Sequence, residues 1–188
     1  WAYQAEVGYN FKKKTPLGGR YGMNIKANFS YVRAIDRQFY NTSDLIQKTN
    51  GYESKFFKWG DDTYYRSFDL VLTRKLSKAF KISLMYVNQL YNQTVVEGHG
   101  GVVHTNIYIA DAKYQFSPKV TLRGELQYMT TKQDQGDWAY GLLELSLAPH
   151  WMVSVSDMWY CGETNLHYYQ GLVTYNIGQH RIQGDYGR

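Results

Sequence analysis

Tyr21, Met23, Ile25, Ala27, Phe29 and Tyr31 alternate, residue for residue, with Gly22, Asn24, Lys26, Asn28, Ser30 and Val32. One set is apolar with tyrosine at both ends, and the other is mostly polar. A period of two is the signature of a strand with one face buried or lipid-covered. Tyrosines bracketing an apolar band are what the two interfaces of a bilayer select. Ten such residues at roughly 3.3 Å each, tilted by about 40°, rise roughly 25 Å, the height of the apolar band on an outer-membrane barrel.

The same alternation recurs along the chain and predicts ten strands. The first lies near 1–10, with Trp1, Tyr3, Ala5, Val7 and Tyr9 on one face, and the second near 20–33. The third lies near 63–76, with Tyr64, Phe68, Leu70, Leu72 and Leu76. The fourth, near 79–92, carries Phe80, Ile82, Leu84, Tyr86 and Leu90. The fifth, near 102–116, ends in Tyr108, Ala110, Ala112, Tyr114 and Phe116. The sixth, near 119–130, sets Val120, Leu122, Leu126 and Tyr128 against Thr121, Arg123, Glu125 and Gln127. Leu143, Leu145 and Leu147 mark the seventh; Trp151, Val153, Val155 and Trp159 the eighth. Tyr169, Val173, Tyr175 and Ile177 mark the ninth, and Ile182 and Tyr186 the tenth.

The connections segregate by length. Ser77-Lys78, Ser117-Pro118-Lys119, Ala148-Pro149-His150 and Gly178-Gln179 are tight, whereas the intervening ones are longer and residues 34–62 form a very long loop. Short turns at one end and long loops at the other are the outer-membrane pattern. The fold expected is an all-β, antiparallel, up-and-down transmembrane β-barrel of about ten strands, or a ten-strand segment of a larger barrel. It forms a single domain over 1–188. The chain begins at Trp1 and closes at Arg188 inside strand patterns, with no N-terminal signal peptide, so a segment of a longer precursor is expected.

Composition agrees. No run approaches 18 apolar residues, so no transmembrane helix is expected, and barrel strands hide their apolar half in alternation. Nineteen tyrosines, 8 phenylalanines and 5 tryptophans suit membrane interfaces, where one end of a ring is apolar and the other wet. A Tyr-rich soluble β-sheet module that binds carbohydrate is the competing reading. The net charge of +5 comes from lysines and arginines spread along the chain rather than gathered in a patch, which argues against nucleic acid as a partner. Lipopolysaccharide phosphates are an expected outer partner, beside the bilayer itself and either other outer-membrane subunits or further strands of the same precursor. The single Cys161 excludes an internal disulfide framework.

Lys26, Asp69, Arg123, Glu125 and Glu144 fall on the face opposite the apolar set, within the membrane-spanning height. They are candidates for a charged constriction that selects solutes. Buried charges need partners, and pairs Lys26–Asp69 and Arg123–Glu144 are the structural reading of the same residues. Asp157 and Asn88 break the apolar face, so Asp157 belongs near the headgroups or its strand is out of phase. Ile107 and Ile109 break the polar face, which a plug, a neighbouring chain or a bulge would explain. The long loop holds Phe39, Tyr40, Tyr52, Phe56, Phe57 and Trp59, of which Phe56, Phe57 and Trp59 are candidates for ligand binding. Ser43-Asp44-Leu45-Ile46 has the pattern of a short helix start.

Catalytic signals are weak, and no enzyme activity, cofactor or metal is expected. The histidines are His99, His104, His150, His167 and His180. Glu97-Gly98-His99-Gly100-Gly101 resembles an oxyanion-hole loop without a G-x-S-x-G partner. An outer-membrane lipid or peptide hydrolase, the enzyme alternative, needs serine and histidine together at the outer rim. His104 and His167 are the nearest candidates, with no serine to match. Glu97, His99 and His104 have no defined metal-ligand spacing.

The stretches Gly19-Arg20-Tyr21-Gly22-Met23-Asn24-Ile25-Lys26 and Gly178-Gln179-His180-Arg181-Ile182-Gln183-Gly184-Asp185-Tyr186-Gly187-Arg188 resemble a Bacteroidetes outer-membrane β-barrel family catalogued as a domain of unknown function. The resemblance covers the whole chain as the C-terminal portion of a longer protein. It implies a bacterial outer-membrane location and brings no catalytic residues.

Overall fold

A computed structural model describes residues 1–39, 52–133 and 136–188. Ten strands form a single antiparallel sheet in chain order: β1 (Ala2–Phe11), β2 (Met23–Ile35), β5 (Trp59–Lys75), β6 (Phe80–Asn92), β7 (Val102–Ser117), β8 (Val120–Thr131), β9 (Trp138–Leu147), β10 (Trp151–Tyr160), β11 (His167–Ile177) and β12 (His180–Gly187). Two-residue strands β3 (Gln38–Phe39) and β4 (Tyr52–Glu53) pair with each other beyond the β2–β5 end. A single helical turn, α1 (Gln93–Glu97), follows β6. No helix among the described residues is long and apolar enough to cross a membrane.

Every expected strand is present, and neighbours in sequence are neighbours in the sheet. Directly opposed residues of an antiparallel pair share a face, so the pairing register carries the alternation from strand to strand. One row runs Tyr9, Ile25, Leu72, Leu84, Ala110, Leu126, Gly141, Asp157, Tyr169. The next, toward the short turns, runs Phe11, Met23, Arg74, Ile82, Ala112, Gly124, Leu143, Val155, Gly171, Tyr186. A one-residue slip in any pair would turn a strand inside out. Among the described residues, the register shifts in this sheet lie at strand ends, between Val32, Arg33 and Ile35 and between Gln115 and Ser117.

The second strand begins later than its alternation predicts. Gly22 takes φ +86°, a left-handed conformation that ends the turn, and its N–H donates to the Gly18 carbonyl at 2.8 Å. Tyr21 therefore lies outside β2, its ring 5.6 Å from the Arg20 guanidinium. The long loop is shorter than expected, because β2 and β5 extend past a pair of bulges to join Ile35 with Trp59. Tyr40 and the Ser43–Ile46 stretch lie outside the described residues.

The sheet is open. β1 and β12 are its two edges, and no pairing among the described residues joins them. A barrel closed by ten strands is thus not what this chain forms; the architecture is an up-and-down sheet with both edges available. The two faces differ sharply in enclosure. Ser67 at 3% and Val87 at 5% exposure point to the polar face, as a sheet curling toward that side requires. Leu126, Val155 and Leu143, on the apolar face of interior strands, are 68%, 55% and 51% exposed. No layer of protein covers the apolar face among the described residues. A sheet ordinarily buries its apolar face against a second layer.

Candidate functional site

The register places Lys26, Asp69, Arg123, Glu125 and Glu144 on one face, the polar one. Neither expected ion pair forms. Lys26 reaches across to Glu6 on β1 at 3.3 Å. Asp69 instead accepts from Asn28 Nδ2 at 3.0 Å and from the Ser67 hydroxyl at 2.5 Å. The reason is proximity: Asp69 stands directly opposite Asn28 in the β2–β5 register. Arg123 Nε donates to Asp111 at 2.5 Å, and its Nη2 pairs with Glu125 two residues along the same face. Glu144, opposite Arg123 in register, accepts from Ser146 at 3.4 Å. Arg123 is thus the hub of a knot with Asp111 and Glu125, and Asp111 is the member that the sequence did not single out.

Ile107 and Ile109 need no bulge, since β7 stays in regular register through both. They belong to an apolar belt that crosses the polar face. One row runs Val87, Ile107, Met129, Trp138 and the next Val71, Met85, Ile109, Gln127, Tyr140, Met158. Ile107, Met129, Trp138 and Met158 line a recess of about 320 Å³. The Arg123 knot lies between this belt and the short turns.

The apolar face has polar inserts of its own, and Asn88 and Asp157 are bonded to neighbours across the strands. Asn88 donates to Asn106 at 2.9 Å, as does the Tyr86 hydroxyl at 2.8 Å. Asp157 is in phase, opposite Gly141 and Tyr169, three residues from the long-connection end of β10. It bonds His167 Nδ1 at 2.7 Å, and the His167 ring stacks on Trp159 with centroids 5.6 Å apart. Among the described residues neither Asp157 nor His167 is hydrogen-bonded to a serine or cysteine. His104 sits on β7, in register with Leu90 of β6, away from His167 on β11. The two histidines are not brought together.

Phe56, Phe57 and Trp59 do not fold across the polar face. Trp1 stacks on Phe57 at 5.4 Å and meets Phe56 edge-on at 5.6 Å. Tyr3 meets Trp59 at 5.7 Å, and the Arg33 guanidinium lies 5.7 Å from the Trp59 ring. Tyr3 belongs to the apolar face, so the cluster caps that face at the long-connection end. Phe56 and Phe57 remain 81% and 71% exposed. Phe57 holds φ +66°, a strained conformation for an aromatic residue. At the opposite end of the same face, Tyr114 contacts Phe80 and Phe116, and Trp151 packs on Tyr175 at 4.6 Å.

In the β8–β9 connection, the Tyr128 hydroxyl donates to Asp137 at 2.7 Å and the Thr131 N–H does so at 2.9 Å. These two bonds, Tyr128's first, hold the Asp137 carboxyl below its ordinary pKa of 3.8. No group of three or more His, Cys, Asp or Glu among the described residues is placed to hold a metal ion.

The chain matches no curated protein and no solved structure. The model of a family described as being of unknown function matches it along its entire length, residues 1–188: the chain belongs to the family DUF6029.

Proposed function

We propose that this chain is part of the wall of a bacterial outer-membrane β-barrel, acting as a passive pore or as a barrel that binds solutes or surfaces. The observation that carries the reading is the apolar face, in register across ten strands and, among the described residues, exposed without a covering layer. Leucine, valine and alanine dominate its middle. Trp1, Tyr3, Trp59 and Trp159 gather at the long-connection end, and Phe80, Tyr114, Trp151 and Tyr175 at the short-turn end, as aromatic girdles do. The connections 76–79, 118–119, 148–150 and 178–179 are short, and 93–101, 132–137 and 161–166 at the other end are longer. The 12–22 connection is the exception to that rule.

Unpaired edges do not survive in hydrocarbon, because every backbone group must be bonded within the protein. Further strands must therefore close the barrel, from the same polypeptide or from a neighbouring subunit. The location and a Gram-negative source draw further support from the resemblance of residues 19–26 and 178–188 to Bacteroidetes barrels. A soluble carbohydrate-binding module would need a second layer over the apolar face. A barrel hydrolase would need a nucleophile beside the Asp157–His167 pair.

The apolar belt on the inner face favours a barrel whose passage is narrowed at mid-height over a wide aqueous channel, since apolar constrictions resist wetting. The test is conductance of the native protein in planar bilayers. Discrete channel openings support the pore. Insertion without conductance assigns the barrel a binding role, and failure to insert refutes the membrane reading.

A further inference from the structure

Lys75, Lys81, Lys113 and Arg123 stand directly opposite one another on four successive strands, β5 to β8, in one row of the polar face. Like charges placed in this way repel, and a sheet gains nothing structural from them. Ordinarily such a row is relieved by carboxylates. Here the nearest acids, Asp111 and Glu125, are both taken by Arg123. Among the described residues none of the three lysines has an ion-pair partner, and neither does Lys78 in the adjoining turn. These four lysines, with Phe80 and Gln115, surround a recess of about 320 Å³ at the short-turn end.

We propose that this recess is a binding site for a phosphate-bearing anion with at least two negative charges. Three ammonium groups on neighbouring strands, with Cβ atoms about 5 Å apart, converge on one ligand from one side. Lys78 closes on it from the turn. Each ammonium is a compact point charge with three donors, which suits phosphate oxygens. Arg123 engages the Asp111 and Glu125 carboxylates, and among the described residues none of the lysines is ion-paired to either, which leaves the ammonium groups open to a ligand. The site does not depend on whether the apolar face meets lipid.

The source of the anion is a soluble phosphate or a lipid headgroup, and the test separates the two. Pyrophosphate is titrated calorimetrically into the folded native protein in uncharged detergent at low salt. The variants are Lys81→Gln with Lys113→Gln, and Lys119→Gln as a control in a turn that does not line the recess. A soluble ligand gives saturable binding that weakens at least about tenfold in the double variant and is unchanged in the control. A headgroup ligand gives no pyrophosphate binding. Bicelles containing phosphatidic acid, whose phosphomonoester can carry two negative charges, and not bicelles of phosphatidylcholine alone, then raise the melting temperature of the parent protein but not of the double variant. Absence of both effects, or equal binding by the double variant, overturns the proposal. A second readout needs no ligand: Lys81→Gln, by relieving repulsion, raises the unfolding midpoint. A lowered midpoint would give Lys81 a structural role and would also count against the site.

Discussion

Single side chains on this sheet have opposite tolerances according to which way they point. Val155 and Ser156 are adjacent in β10, but Val155 shares its row with Leu143 and Ser156 with Leu142 and Gln170, on the other face. If the apolar face meets lipid, Val155→Arg costs about 2–4 kcal/mol near the midplane, and Ser156→Arg costs far less. Guanidinium unfolding of the refolded protein in detergent or lipid reads the difference, and equal costs would refute the assignment of faces. Asp157 shows how a polar residue is accommodated on the apolar face: it lies toward one end and takes His167 as its partner. The alternation could flag Asp157 as out of place, but His167 lies on the next strand, and only the register shows that the two meet. The same blindness hid Asp111, Lys75, Lys81 and Lys113, whose meaning depends on what stands opposite.

Asp137 gives a residue-scale prediction in pH. Its folded pKa is depressed, so the stability it contributes is present above its ordinary value of 3.8 and is lost as pH falls through the lower folded value. Its side chain is solvent-accessible, and the effect is confined to the β8–β9 connection. Hydrogen exchange at the Thr131 amide should speed up as the carboxyl protonates. Asp137→Asn should remove that pH dependence, and an unchanged profile in the variant would show that another group controls the connection.

At the scale of elements, all ten strands were legible because each carries enough alternating residues to define a face. Their ends were less so. Met23 rather than Tyr21 begins inside β2 because a glycine with positive φ, not a change in hydropathy, sets the boundary. β2 and β5 run on beyond the expected strand ends through bulges, which break the period that reveals a strand. The α1 turn was invisible in a glycine-rich stretch, where Asn92 caps it by accepting from the Val95 N–H at 3.3 Å. Gly22 provides the test at this scale. Its φ of +86° is unfavourable for any residue with a Cβ, and an added Cβ would lie 3.0 Å from the Phe11 carbonyl oxygen. Gly22→Ala should destabilise the β1–β2 hairpin by about 1–2 kcal/mol, measured by denaturant unfolding. Gly98, whose φ is also positive but whose Cβ would meet nothing within 4 Å, should show a smaller loss with the same substitution.

For the whole molecule, the alternation predicted the faces and the strand order, but not closure. Closure depends on what pairs with β1 and β12, and no local pattern encodes a distant partner. The Arg123 knot, the apolar belt above it and the lysine row that ends on Arg123 are properties of this level too, since each is assembled from several strands. A closed barrel in lipid or detergent resists unfolding by dodecyl sulfate until heated, so the native protein should migrate differently on gels before and after boiling. Identical migration would argue against closure.

The lipid-facing assignment itself is tested most directly by a nitroxide scan along β10. Cys161 is the only cysteine, so single cysteines at 153, 154, 155 and 156 are introduced with Cys161→Ser and spin-labelled in the native protein reconstituted into bilayers. If Val153 and Val155 face lipid, labels at 153 and 155 collide preferentially with oxygen, which concentrates in lipid, and labels at 154 and 156 with a water-soluble nickel chelate. Uniform collision rates at all four positions, or the reverse alternation, would contradict the assignment.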